Sequence, residues 1–221
     1  MELIAPDLYL LPGRPAYGFN VYLMGGVLVD AATRRAHRRI TRALGDAELV
    51  GHALTHAHAD HQGASAALCE EFGVGLWCGK ADAQAIRSGD LTDRMPSNLV
   101  TRWQLRHWAG PAQPVSRELR EGDEVGGFKV LETPGHSPGH IAFWRESDRT
   151  LVAGDVLFGR HPVTGRRGLH EPPPMFTLDA SENRVSIRRL ATLDPAVVCF
   201  GHGPPWRDPG ALRSFADALP A

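Results

Sequence analysis

Short apolar runs broken by glycine and polar turns alternate along this chain with stretches of helical period, and the two patterns predict a mixture of strands and helices. The N-terminal part reads as strands over 8–11, 20–24 and 27–30, the last two joined at Gly25-Gly26 as a hairpin. Residues 36–44 have an amphipathic spacing that Gly45 ends, and 48–55 supplies the next strand. Beyond Gly63, the apolar residues Ala64, Ala67, Leu68 and Phe72 fall on one helical face closed by Gly73. A strand over 74–78 and a short helix over 81–88 follow.

Residues 89–114 carry no clean period and are expected to form a loop, serving either as a lid or, through exposed apolar residues, as a homodimer contact. Strands return over 128–132, 141–145 and 150–153. Asp179 with Glu182 three residues on has capping-box spacing and opens a helix to about Leu193. A strand over 197–200 and a terminal helix over 209–219 complete the pattern. No repeat of solenoid period is present, and the loose order of strands and helices predicts mixed sheets flanked by helices in a single domain over 1–221.

Composition adds bounds. A chain of 221 residues can bury one sizeable core, and 43% hydrophobic with 22% charged residues is globular rather than disordered. A formal net charge of -1 supplies no field for a polyanion or an anionic bilayer, so neither nucleic acid nor membrane is expected as a partner. The longest apolar runs, 26–32 and 196–200, fall short of the roughly 20 residues of a membrane helix. Cys69, Cys78 and Cys199 form an odd set without metal-type spacing, and no basic-then-apolar segment opens the sequence; a reducing cytoplasm is expected.

The histidines matter through position. A divalent metal that keeps an open coordination position is best served by neutral imidazoles and carboxylates, and His56, His58, Asp60 and His61 supply four such groups in one short run. At the end of the strand over 48–55, His56 and His58 share a face, which they would not on a helix. Four groups in one loop cannot enclose two metals, so further donors are required at other strand ends. His136 stands in the tight turn Pro134-Gly135-His136-Ser137-Pro138-Gly139, Asp155 follows Gly154 after a strand, and His202 lies between Gly201 and Gly203 after another.

With these residues assembled, the sequence resembles the metallo-β-lactamase-fold hydrolases, over residues from about 20 to 205. The resemblance implies an α/β fold, an αββα sandwich of two mixed β-sheets flanked by helices with the site on one edge. It implies two divalent metal ions, zinc first and iron or manganese as alternatives. His56, His58 and His136 would hold one, Asp60, His61 and His202 the other, and Asp155 would bridge them. Asn20 and Asp30 would support the site from behind, and His140 would hydrogen-bond a ligand rather than bind metal. Water shared by two such ions ionises near neutrality, so the implied reaction is attack of a bridging hydroxide on a carbonyl or phosphoryl centre, with Asp60 orienting it and passing a proton to the leaving group.

True β-lactamases of this fold lack the bridging aspartate or place cysteine near it, so Asp155 turns the resemblance toward the branch similar to glyoxalase II, whose substrates are thioesters; lactonases share these motifs. Full glyoxalase II enzymes add a C-terminal helical region that holds glutathione, whereas one predicted helix follows His202 here. The expected substrate is a small thioester, lactone or other ester with an apolar part, received by Trp103, Trp108, Met175 and Phe176, with Arg160, Arg166 and Arg167 as candidate carboxylate binders. An iron-dependent, oxygen-using enzyme similar to the persulfide dioxygenases is the first alternative, because the same donors accept iron. A phosphodiesterase or nuclease is the second, opposed by the absence of a basic surface.

Overall fold

The computed structural model describes residues 1–220. Its strands, in chain order, are β1 (Glu2–Ala5), β2 (Leu8–Leu10), β3 (Tyr22–Met24), β4 (Val27–Val29), β5 (Gly51–Ala53), β6 (Leu76–Gly79), β7 (Val115–Leu119), β8 (Glu124–Val125), β9 (Phe128–Glu132), β10 (Ile141–Arg145), β11 (Thr150–Val152), β12 (Phe158–Arg160), β13 (Arg167–His170) and β14 (Val197–Cys199). The helices are α1 (His37–Leu44), α2 (Ala59–Gln62), α3 (Ser65–Phe72), α4 (Ala83–Ser88), α5 (Leu99–Trp108), α6 (Ala180–Ala191) and α7 (Ala211–Asp217).

β1 to β7 lie side by side in sequence order, antiparallel through β4 and parallel from β4 to β7. The second sheet runs β14-β11-β10-β9-β8, antiparallel except for the parallel β11–β14 pair. Both sheets are therefore mixed, as expected, and strand alternation decides which side chains lie between them. Tyr22, Met24, Val27 and Val29 of one sheet meet Phe128, Val130, Ile141 and Phe143 of the other in a shared core.

The opposite side chains of the same strands face the helices. Leu23 and Leu28 pack with Ile40 and Leu44 of α1 and Leu68 of α3. Ala142, Trp144 and Leu151 pack with Ile187 and Leu190 of α6 and Leu212 of α7. Strands apolar on both faces are what covering layers on both sides demand, and each fully buried large side chain contributes about 1.5–3 kcal/mol. The result is the αββα sandwich. Among the described residues no helix is long and apolar enough to cross a membrane.

Three segments depart from the sequence pattern. Residues 89–114, expected to be a loop, contain α5. Its apolar residues Leu99 and Trp103 are 84% and 51% exposed while Thr101 and Gln104 are buried, so the hydrophobic period is inverted and unreadable. The helix is set by its cap: Asn98 accepts from the Val100 and Thr101 amides, and Thr101 Oγ1 accepts from the Asn98 amide. Asn98→Ala is expected to lose about 1 kcal/mol of stability and to speed proteolysis at 96–108, read by urea unfolding and peptide mapping.

Asp179 caps α6 by accepting from the Glu182 amide at 2.9 Å, but its own N–H donates to Gly135 O rather than to Glu182, so the reciprocal half of the expected box is replaced by a tie to the His136 turn. Finally, β5 ends at Ala53, and Ala59–Gln62 is helical. Asp60 and His61 therefore sit on a helical turn after His58 rather than along a strand end.

Candidate metal centre

Every expected donor converges at one edge of the sandwich, where β4, β5, β11 and β14 end. The ligand atoms of His56, His58 and His136 lie within 4.8 Å of one another, as do those of His56, His61 and Asp155, and those of Asp60, His61 and His202. All seven are withdrawn from bulk water to a large degree, with Asp60 and His202 the most accessible, at 13% and 19% of their side chains.

Each imidazole has one nitrogen committed to the protein, which fixes where the other points. Thr55 Oγ1 donates to the Asp30 carboxylate at 2.8 Å, so it accepts from His56 Nδ1 at 3.0 Å and leaves Nε2 with its lone pair. His58 Nε2 donates to Arg94 O at 2.8 Å, freeing Nδ1. Thr177 Oγ1 donates to Pro173 O and accepts from His136 Nδ1 at 3.2 Å. His61 Nδ1 donates to Asp30 Oδ2 at 2.9 Å, and His202 Nδ1 donates to Gly18 O. The free nitrogens all face inward.

That arrangement suits a cation. His58 Nδ1 and His136 Nε2, both carrying lone pairs, stand 3.1 Å apart. Asp155 Oδ2 lies 3.1 Å from His202 Nε2, 3.3 Å from His61 Nε2 and 3.6 Å from His136 Nε2. Positive charge is needed between that carboxylate oxygen and the three imidazole nitrogens, supplied either by protons on His61 and His202 or by a divalent ion in their place. His56 Nε2, His61 Nε2 and Asp155 Oδ1 are buried without any hydrogen-bond partner, and such orphaned donors of imidazole and carboxylate type fit divalent metal.

Protonation follows the same electrostatics. Burial and neighbouring imidazoles hold His56 and His136 well below the usual histidine range, the neutral form that ligation needs. Burial also opposes charge on Asp155, but His202 and His61 outweigh it and hold the carboxyl well below its usual range. Against the same burial, Asp155 and Asp60 push His202 up to about 10.

The supporting shell contains what the sequence suggested and more. Asp30, at the end of β4, accepts from Thr55 N, Thr55 Oγ1 and His61 Nδ1. Asn20 donates to Phe200 O and Gly203 O, bracketing the His202 turn. His140 Nδ1 pairs with Thr133 Oγ1, and its Nε2 accepts from the Asp155 amide at 3.0 Å, the indirect role expected of it.

Asp82, at the start of α4, escaped the sequence reading because one acid in a helical first turn carries no distinguishing signal. It is fully buried and accepts from Ala57 N at 2.8 Å and Gly139 N at 3.1 Å, joining the loop of His56 and His58 to the loop of His136. Burial pushes its carboxyl up to about 6 against these amides and Arg94. Asp82→Ala orphans two buried N–H groups, and a loss of about 2–5 kcal/mol in urea unfolding is expected; a loss below about 1 kcal/mol would mean the two loops hold without the brace.

A cavity of about 380 Å³ opens onto His58, Asp60, His136, Asp155 and His202. Phe19, Met95, Trp108, Phe158 and Phe176 form its apolar walls, with Gln104 and Arg160 among the few polar groups. Of the residues expected to receive the substrate, Trp108, Phe176 and Arg160 line the cavity. Trp103 and Met175 lie on the surface, 51% and 43% exposed, and Arg166 and Arg167 are exposed outside it.

Residues 17–202 match the family model described as Metallo-beta-lactamase superfamily. The chain is 28% identical over 189 residues to "Probable metallo-hydrolase YybB" of Bacillus subtilis (strain 168), covering 84% of this chain and 77% of that protein. It is 31% identical to a hydroxyacylglutathione hydrolase of Rhizobium etli, covering 79% of this chain but only 52% of that enzyme. Among solved structures, TTHA1623 in a di-iron-bound form superposes with a TM-score of 0.63 at 28% identity, covering 99% of this chain and 98% of that one.

Proposed function

The chain belongs to the metallo-β-lactamase superfamily, and from its donor geometry we propose that it is a dinuclear metal-dependent hydrolase of a carbonyl substrate: a thioester, a lactone or another ester. The observation that carries the proposal is Asp155 Oδ2, which stands within 3.1–3.6 Å of imidazole nitrogens from both histidine sets. One carboxylate oxygen shared in this way suits a bridge between two ions.

Under this reading His56 Nε2, His58 Nδ1 and His136 Nε2 would hold one ion, Asp60, His61 Nε2 and His202 Nε2 the other, and Asp155 would be shared between them. When bound, the ions supply Lewis acidity, lowering the pKa of water toward neutrality and drawing charge from the substrate carbonyl. Both carboxylates line the cavity, and Asp60 is the more accessible of the pair, at 13% of its side chain against 3% for Asp155. Asp60 accepts a proton from water as the water oxygen adds to the acyl carbon, and returns it to the sulfur or oxygen that leaves when the acyl bond breaks. Trp108 and Phe158 hold the apolar part of the substrate and keep bulk water away.

The hydroxyacylglutathione hydrolase relative favours thioesters within this class. Metal-loaded protein offered an aryl ester, a lactone and a thioester is expected to turn over at least one of them; inactivity on all three sinks the proposal. The di-iron relative supports a second reading, iron-dependent chemistry at the same donors. Metal analysis and a visible spectrum of protein grown without added zinc separate the two.

A further inference from the structure

Among the described residues Arg160 is the one arginine or lysine lining the active-site cavity, and its surroundings leave it unanswered. It ends β12, which begins three residues after Asp155 and pairs with β13, Phe158 opposite His170 and Arg160 opposite Arg167. No acid occurs from Val156 to His170, and the next one, Glu171, is held by Arg184 at 2.7 Å. Among the described residues Arg160 has no ion-pair partner, and its Nε is buried without any hydrogen-bond partner. A guanidinium that lines the cavity without an ion-pair partner leaves its charge for an anion that arrives with a ligand.

We propose, building on the hydrolase reading, that the substrate carries a carboxylate that Arg160 receives, in addition to its scissile acyl bond and an apolar body. The guanidinium offers N–H donors in a planar fork matched to the two oxygens of a carboxylate. A single cation suits a singly charged group: Arg166 and Arg167, which would add charge for a phosphate, lie outside the cavity. The walls of Phe19, Trp108, Phe158 and Phe176 then hold the apolar body between the metal donors and Arg160. The cavity selects anionic acyl compounds over neutral ones of the same shape.

The test compares matched ligands within each protein, so that a general loss of activity cancels. For turnover, S-benzoylmercaptoacetate is paired with its methylamide. For binding, the uncleavable thioether S-benzylmercaptoacetate is paired with its methylamide, followed by calorimetry on metal-loaded protein. Wild type is expected to prefer the carboxylate by about tenfold or more in both kcat/KM and Kd. The ratio is expected to fall to about one in Arg160→Met and to an intermediate value in Arg160→Lys, which keeps the charge but not the fork.

Equal use of both members by wild type overturns the proposal, as does a preference that survives in Arg160→Met, which would place the carboxylate on the metals. The two readings fail separately. Discrimination in binding without turnover of any thioester leaves the carboxylate site standing and removes thioester hydrolysis. Turnover without discrimination does the reverse.

Discussion

Asp155→Asn is expected to reduce turnover by on the order of 10³-fold and, under the dinuclear reading, to lower the metal content from two ions per chain to one or none. The substitution keeps size and shape, so the sandwich is retained, but it removes the negative charge that three imidazole nitrogens face within 3.6 Å. A neutral amide can present one carbonyl oxygen to one ion; it cannot balance two. It also places an NH2 group against the imidazole nitrogens, and an amide N–H bonded to an imidazole lone pair takes that lone pair away from a metal. Elemental analysis of the purified variant beside its kcat decides the matter. Two retained ions with full turnover would remove Asp155 from the bridging position.

Gly201→Ala is expected to damage the same centre without touching a donor. A Cβ at residue 201 would lie 2.0 Å from Asp155 Oδ1 and 2.6 Å from His61 Cε1. Neither neighbour has room to yield: the Asp155 amide is tied to His140 and the His61 ring to Asp30. The methyl must displace the carboxylate, with a fall in activity of about 10²-fold and a loss of about 1–3 kcal/mol from overpacking. Gly45→Ala is the matched control. Gly45 has φ +58 with nothing within 4 Å of the added carbon, so that variant carries backbone strain alone and should keep its metal and its activity. Equal metal content in Gly201→Ala and wild type would show that the turn moves aside.

These expectations concern residues the sequence marks unevenly. Gly201 is adjacent to His202 and looks like an ordinary turn glycine until the approach of Asp155 is seen. Asp82 and Thr177 are common residue types with no spacing relation to the donors they hold, 25 residues from Ala57 and 41 from His136. Helix α5 hides because its buried side is Thr101 and Gln104 while Leu99 and Trp103 face outward. Arg160, Arg166 and Arg167 are equivalent in the sequence, and only the tertiary structure puts the first at the cavity and leaves the others exposed outside it.

The sequence by itself determined the donor chemistry and the layering. Ligand type is a property of the residue, and the run from His56 to His61, the turns at His136 and His202, and the Gly154-Asp155 step announce it locally. The unbroken apolar runs of β3, β4, β10 and β11 likewise commit each strand to two covered faces. Only the tertiary structure decided which nitrogen of each imidazole points inward, and which aromatic residues and which arginine line the cavity. Those outcomes depend on acceptors and neighbours brought from distant parts of the chain, and a hydrogen bond or a close approach between distant segments leaves no period in the sequence to be read.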